Sequence, residues 1–297
     1  MKVPVRVDAH HHLWDTDERE YGWMDGPWAD PLRGRFGSAE LAAAVPNPGE
    51  IATIAVQAVT DTAESAELLA VAADPTTPVV AVVGWVDLTA PDVADRVAEL
   101  RAGPGGERLV GIRHLVQDEP DPRWLLRPDV GRALAALTRA GIVYDLLVKP
   151  AQLAAACRVV REHPEQSFVL DHIGKPDIGA GAGAWEPWAA ALHEIAALPN
   201  VAVKLSGIVT EADWRAWTVE QVLPYARHAL EMFGPERTMF GSDWPVCTLA
   251  ASYDDVLSLA ERTCVGLSAA ERDRVFGATA RAVYGFRGFD RGGGGGR

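Results

Sequence analysis

Three histidines, His10, His11 and His12, close the first strand-like run of the chain, Val3–Asp8. Asp243 follows the last such run, inside Met239-Phe240-Gly241-Ser242-Asp243-Trp244-Pro245. Side chains alternate along extended chain, so His10 and His12 project to one side. Two imidazoles and a carboxylate facing one cavity can hold a metal ion, or polarise a carbonyl and activate water. Either use suits hydrolytic chemistry. The groups can meet only if the chain closes so that its first and last strands become neighbours.

Other ionisable residues repeat the pattern. Of the eight histidines, His10, His11, His12, His114 and His172 fall at the carboxyl ends of strand-like runs. His163, His193 and His228 lie in or at the ends of helical stretches and read as solvated surface groups. Asp8, Asp145, Asp171 and Asp243 sit in or just after strands, where a buried carboxylate is expensive unless it is paired or ligating. Asp8 and Asp171 read as acceptors that orient neighbouring imidazoles. Asp243 reads as a general base or a metal ligand. Arg113, Lys149 and Lys175 flank the same strand ends. They suit an anionic or polyhydroxylated substrate, and equally suit salt bridges to nearby carboxylates. Gln117-Asp118-Glu119-Pro120-Asp121 is a polar loop that either contacts substrate or turns in solvent. Trp14 and Trp85 supply aromatic faces on which a sugar ring could lie.

The elements that must position these residues are legible as eight runs. They are Val3–Asp8, Ile51–Val59, Val79–Val86, Leu109–His114, Ile142–Val148, Phe168–Asp171, Val201–Leu205 and Thr238–Phe240. Most are continuously apolar, as expected of strands buried on both faces. Helical stretches such as Pro91–Arg101, Gly131–Ala140, Ala151–His163, Trp185–Leu198 and Glu220–Phe233 separate them. Strand and helix in alternation imply a parallel sheet with helical crossovers. Eight units predict an α/β fold closed as a (β/α)8 TIM barrel of the metal-dependent-hydrolase type, one domain over residues 1–286. Sites of such barrels lie at the carboxyl ends of the strands. No G-x-G-x-x-G follows any run, which argues against a dinucleotide site. The long segment Leu13–Glu50 carries Trp14, Tyr21, Trp23 and Trp28. It reads as a cover over the barrel mouth or as an Ω-loop packing its own aromatics. The Gly-rich tail Arg287–Arg297 is expected to be disordered.

Composition bounds the partners. A formal net charge of −13 argues against nucleic acid, which attracts basic patches. No apolar run is long enough for a membrane span. The first strand begins at Val3, which reads as leaving no room for a signal peptide. Cys157, Cys247 and Cys264 are widely spaced and odd in number, so they read as reduced thiols in a cytoplasmic protein. Cys247, just past Asp243, is a packing residue or a pocket-lining one. A homodimer is compatible with all of this.

Four separated segments carry a resemblance. They are Val7-Asp8-Ala9-His10-His11-His12-Leu13-Trp14; Gly111-Ile112-Arg113-His114 with Gln117-Asp118-Glu119-Pro120; Leu170-Asp171-His172-Ile173-Gly174-Lys175-Pro176; and Met239 to Pro245. In this order they resemble the amidohydrolase-related lactonase group of the amidohydrolase superfamily. The group includes L-fuconolactonase and L-rhamnonolactonase types, sulfomuconolactone hydrolase and pyrone-dicarboxylate lactonase.

The resemblance implies a hydrolase that opens a small polar, sugar-type lactone. It implies His10, His12 and Asp243 as metal ligands, Asp243 as the water-activating base, and His172 and His114 as further catalytic groups. Arg113, Lys175, Trp85 and Trp14 would contact substrate. The superfamily's binuclear sites use a bridging lysine or glutamate after strand four and a histidine after strand five. Here strand four ends in His114 and strand five carries Asp145, so at most one divalent ion is expected, zinc first, and catalysis without metal is the alternative. His11 departs from the glutamine often found at its position. A zinc-dependent decarboxylase of the same superfamily and a non-catalytic sugar-acid-binding barrel are the competing functions.

Overall fold

A computed structural model describes residues 6–46 and 49–286. The start of the first predicted strand and the glycine-rich tail lie outside the described residues. Eight parallel strands form one sheet in sequence order. They are β1 Arg6–His11, β2 Ile51–Val56, β3 Val79–Gly84, β4 Leu109–His114, β5 Val143–Leu146, β6 Phe168–Leu170, β7 Val201–Leu205 and β8 Thr238–Phe240. All eight predicted runs form strands. The first extends to His11, so His10 and His11 lie within it. The third stops at Gly84, which leaves Trp85 just beyond its end.

The sheet closes into a barrel at the seam between β1 and the segment after β8. Asp243 N donates to His10 O and His12 N donates to Trp244 O, each at 2.7 Å. Asp8 pins the same seam from behind. Its carboxylate accepts from Ser242 N at 2.8 Å, His10 N at 3.1 Å and Tyr253 Oη at 3.0 Å. Barrel closure and assembly of the His/Asp constellation are therefore one event.

The strands face two environments. Outward residues such as Ile51, Leu109, Tyr144, Phe168 and Val203 pack against the surrounding helices. A second cluster joins Val7, Ile54, Val80, Val143, Val169, Ala202 and Met239 with Ala280 and Tyr284 of the C-terminal helix Thr279–Tyr284. Residues two apart on a strand share a face. Val143 thus lies below Asp145, Val169 below Asp171, and Ala202 below Lys204. The barrel interior is apolar at its amino end and charged toward its carboxyl end.

β1 also carries a bulge. Asp8 pairs with Thr53 and His11 with Ala55, so β1 spends one residue more than β2 over this stretch. Such a bulge re-aims side chains. It brings His10 inward although Val7, on the opposite alternation, also faces the interior cluster.

The segment after β1 is both of the things its sequence suggested. Trp14, Tyr21, Met24, Ala29 and Leu32 pack on one another and on Ala58, as a self-contained loop would. The same segment places Trp23 and Trp28 against the cleft at the barrel mouth. Among the described residues no helix is long and apolar enough to cross a membrane.

Candidate active site

The loops after the strands surround a cleft of about 240 Å³. His12, His172 and Asp243 contribute to its floor, with Arg113 beside them; Trp23, Trp28 and Trp214 line its walls. His12 Nε2 lies 3.4 Å and His10 Nε2 3.7 Å from Asp243 Oδ1, and the two imidazole nitrogens are 3.2 Å apart. His172 Nε2 approaches the same oxygen at 4.0 Å.

Each ring is held by its other nitrogen. His12 Nδ1 is 2.8 Å from Val56 O, a carbonyl that only accepts, so the proton sits on Nδ1 and the Nε2 lone pair faces the cleft. His172 Nδ1 meets Ser206 Oγ at 2.9 Å. His10 Nδ1 faces Lys204 Nζ at 3.2 Å and Asp171 Oδ1 at 3.4 Å.

Backbone strain serves the site. His172, Ile173, Gly174 and Lys175 form a left-handed turn with φ of 52°, 49°, 75° and 51°. Each non-glycine residue there costs about 1–2 kcal/mol. Trp188 Nε1 donates to Ile173 O at 2.8 Å and holds the turn. Asp243 is left-handed too, with φ 57°. Two glycines admit the side chains: a Cβ at Gly241 would stand 2.6 Å from His10 Cβ, and one at Gly207 would stand 2.4 Å from His172 Nδ1.

Burial sets the protonation states. It drives His172 down to about 4 and His10 well below its ordinary value, so both rings are neutral near pH 7. Burial alone would raise Asp243. The His172 and His12 rings and Lys175 outweigh it, and the carboxyl stays below its usual range. A carboxylate beside neutral imidazoles can accept a proton from water.

The donor set fits one divalent ion. Tetrahedral zinc with ligands at 2.0–2.1 Å separates neighbouring donors by about 3.3 Å. The separations among His10 Nε2, His12 Nε2 and Asp243 Oδ1, 3.2 to 3.7 Å, bracket that value. His10, His172 and Asp243 also offer ligand atoms within 4.8 Å of one another. No histidine follows β5, where Asp145 points into the barrel instead.

Several expected site residues stand elsewhere. His114 Nδ1 accepts from Trp85 Nε1 at 3.0 Å, and its Nε2 meets Glu119 at 2.8 Å. Its ring stacks on Trp124 with centroids 4.3 Å apart. Both nitrogens are spent, and neither His114 nor Trp85 lines the cleft. Trp14 is buried, donates to Leu32 O, and stacks behind His12. It supports the site without facing it.

Lys149 is exposed and pairs with Asp118. Arg113 is not a rim cation: it is buried, donates to Asp171 Oδ2 at 3.1 Å and Gln57 Oε1 at 2.9 Å, and also reaches Gln57 O. Lys175 lines the cleft in a 2.8 Å pair with Glu211. Cys247 is fully buried packing. His11 points away from the site and bonds Thr53 Oγ1 at 2.9 Å. His228 is not simply solvated, since its ring packs against Trp185 and Trp188.

Sequence reasoning missed Lys204, Glu64, Ser206 and Trp214. Lys204 was visible as a lysine inside the apolar run Val201–Leu205. Glu64 accepts from Ala58 N and Val59 N at 3.0 and 3.1 Å and so fixes the loop beside Val56; nothing in its helical surroundings marked it. Ser206 and Trp214 follow β7 in segments with no motif.

Fold and site together define a (β/α)8 barrel with a His/Asp constellation at the carboxyl ends of its strands. The amidohydrolase family pattern matches residues 7–286, and the chain belongs to that family. It is 43% identical over 289 residues to an L-fucono-1,5-lactonase of Burkholderia multivorans, covering 94% of this chain and 96% of the relative. It is 36% identical to an L-fucono-1,5-lactonase of Burkholderia ambifaria, covering 95% and 96%. An amidohydrolase from Burkholderia multivorans solved with bound zinc superposes with a TM-score of 0.89 at 42% identity, over 95% of this chain and all of that one.

Proposed function

We propose that the protein is a hydrolase that opens a neutral, polyhydroxylated sugar lactone to the corresponding hydroxy acid. The observation that carries this is Asp243: an ionised carboxylate at the cleft floor, within 4.0 Å of three imidazole nitrogens. The two lactonases similar to it over almost the whole chain support the same class of substrate.

Asp243 takes a proton from water as the water oxygen bonds to the lactone carbonyl carbon. The carbonyl π electrons move to oxygen, on the side where the buried Arg113 guanidinium stabilises developing charge. The intermediate collapses, the bond from that carbon to the ring oxygen breaks, and the ring oxygen takes the proton back from Asp243. The new carboxyl then releases its proton to solvent. His172, held by Ser206, orients the water beside Asp243. One divalent ion, zinc first, would be held by His10, His12 and Asp243; bound there, it supplies electrophilic polarisation and a more acidic water.

The cleft's charges favour a neutral ring over a carboxylated one. Its two cations, Arg113 and Lys175, already hold Asp171 and Glu211. An ion pair offering both donors and acceptors suits hydroxyl groups, and Trp23, Trp28 and Trp214 suit the C–H face of a sugar ring. A panel of aldono- and muconolactones, followed by acid release with a pH indicator, tests this. Aldonolactones should be opened and anionic muconolactones should not. A preference for the anionic or long-chain lactones would overturn the assignment.

A further inference from the structure

The cleft carries an ion pair that no hydrolytic step uses. Lys175 follows β6 and Glu211 follows β7, and Lys175 Nζ meets Glu211 Oε1 at 2.8 Å. Both residues line the cleft, and their side chains are only 20% and 17% exposed. Short turns present them. Lys175 ends the left-handed turn that begins at His172, and its N–H donates to His172 O at 2.9 Å. Glu211 ends the turn Val209–Glu211, where Thr210 Oγ1 donates to Gly207 O at 3.0 Å and Trp214 Nε1 donates to Thr210 O at 2.8 Å. The pair also stands near the reacting groups. Burial, and after it the Lys175 charge, lowers His172; the same charge joins His172 and His12 in holding Asp243 down against burial.

Charge decides what such a cleft admits. Its lining holds two cations, Arg113 and Lys175, against three carboxylates, Asp118, Glu211 and Asp243. Arg113 is committed to Asp171 and Gln57. Among the described residues Lys175 has no ion-pair partner besides Glu211. A lysine ammonium has three N–H donors and holds a carboxylate as a point charge. With Glu211 ionised, a carboxylate arriving at that ammonium meets a like charge already seated on it. Partly buried charges of this kind are weakly screened.

We propose that Glu211 sets the charge class of the substrate: by occupying Lys175 it closes the cleft to rings that carry a carboxylate, and its removal uncovers a carboxylate-binding subsite on Lys175. Replacing Glu211 with glutamine leaves two cations against two carboxylates and frees the ammonium charge. The amide oxygen still accepts from Lys175 and keeps the side chain in place. Neutral hydroxyls gain nothing from the change, because the intact pair already offers them donors and an acceptor. That the ring is a lactone rests on the hydrolase reading; the gate at Glu211 rests on the cleft's own charges.

Calorimetric titration with two polyhydroxylated lactams tests the gate, one bearing a carboxylate and the other a hydroxymethyl group at the same carbon. Ring amides resist hydrolysis, so binding is read without turnover. Wild type should bind the neutral lactam at least about ten-fold more tightly than the carboxylated one. Glu211→Gln should raise affinity for the carboxylated lactam at least about ten-fold and should not raise it for the neutral one. Glu211→Gln/Lys175→Met should lose that gain, which separates a lysine subsite from a general loss of negative charge. Should Glu211→Gln not fold, Glu211→Ala, which also frees Lys175, takes its place. A folded variant with unchanged affinity for the carboxylated lactam overturns the proposal. So does a gain that survives Lys175→Met, or a wild type that prefers the carboxylated lactam. Should wild type bind the neutral lactam yet open no lactone, the reading of the reaction fails while these affinities still decide the role of Glu211.

Discussion

Replacing Gly207 with alanine separates backbone cost from catalytic cost. Gly207 has φ +59°, and an added Cβ would stand 2.4 Å from His172 Nδ1, 2.7 Å from His172 Cγ and 3.0 Å from Asp243 Oδ2. The left-handed conformation costs alanine about 1–2 kcal/mol. To restore ordinary contact the imidazole must retreat by about 1 Å. That stretches its 2.9 Å bond to Ser206 Oγ, which is worth about 1 kcal/mol. Gly207→Ala should therefore lose about 2–3 kcal/mol in urea unfolding. A misplacement of this size should also cost about 10² in kcat. Gly141→Ala is the matched control. Gly141 has φ +65° at the end of helix Pro128–Ala140, and nothing lies within 4 Å of its added Cβ. It should lose the backbone part of the stability and keep its turnover. Equal turnover in the two folded variants would refute the placement of His172 in the reacting constellation.

Other outcomes follow from the same geometry. Because burial brings His172 to about 4, kcat/KM should be flat from neutral pH down to about 5 and fall as pH drops through 4, where the ring gains a proton; a midpoint near 6.5 would contradict the burial argument. Metal analysis of gently purified protein should find no more than one equivalent per chain, since β5 offers Asp145 where a second ion would need an imidazole; two tightly held equivalents would overturn the ligand assignment. Trp28 lines the cleft, is 40% exposed and packs its ring against that of Trp214 with centroids 5.8 Å apart. Trp28→Ala should raise KM by roughly two- to ten-fold, the worth of one aromatic face, with kcat little changed.

The parts of this protein governed by local pattern were legible in the sequence. Apolar runs such as Val79–Gly84 announce strands buried on both faces. Ionisable residues at their carboxyl ends marked the mouth, and His10, His12, His172 and Asp243 converge there. Residues decided by three-dimensional partners were not legible. His114 has the same strand-end position as His12 and His172, but Trp85, Glu119 and Trp124 occupy it and it does not line the cleft. Trp14 follows the H-x-H segment directly, yet its indole turns to Leu32 O, and the cleft walls come from Trp23, Trp28 and Trp214. Lys204 looked like one polar residue in an apolar strand. Its meaning depends on Asp145 and Asp171 from two other strands. The left-handed turn at His172 has one glycine among four residues, so composition gave no sign of its backbone.

The account stands most directly on Asp243. Acid release from a panel of fresh aldonolactones, measured side by side for wild type and Asp243→Asn, tests it in one assay. The substitution keeps the shape and the backbone bonds to His10 and Cys247 but removes the proton acceptor. Wild type should open at least one neutral sugar lactone, and the variant, folded as judged by its unfolding transition, should turn it over at least about 10²-fold more slowly. A folded Asp243→Asn protein that opens the same lactone at near wild-type rate would contradict the mechanism.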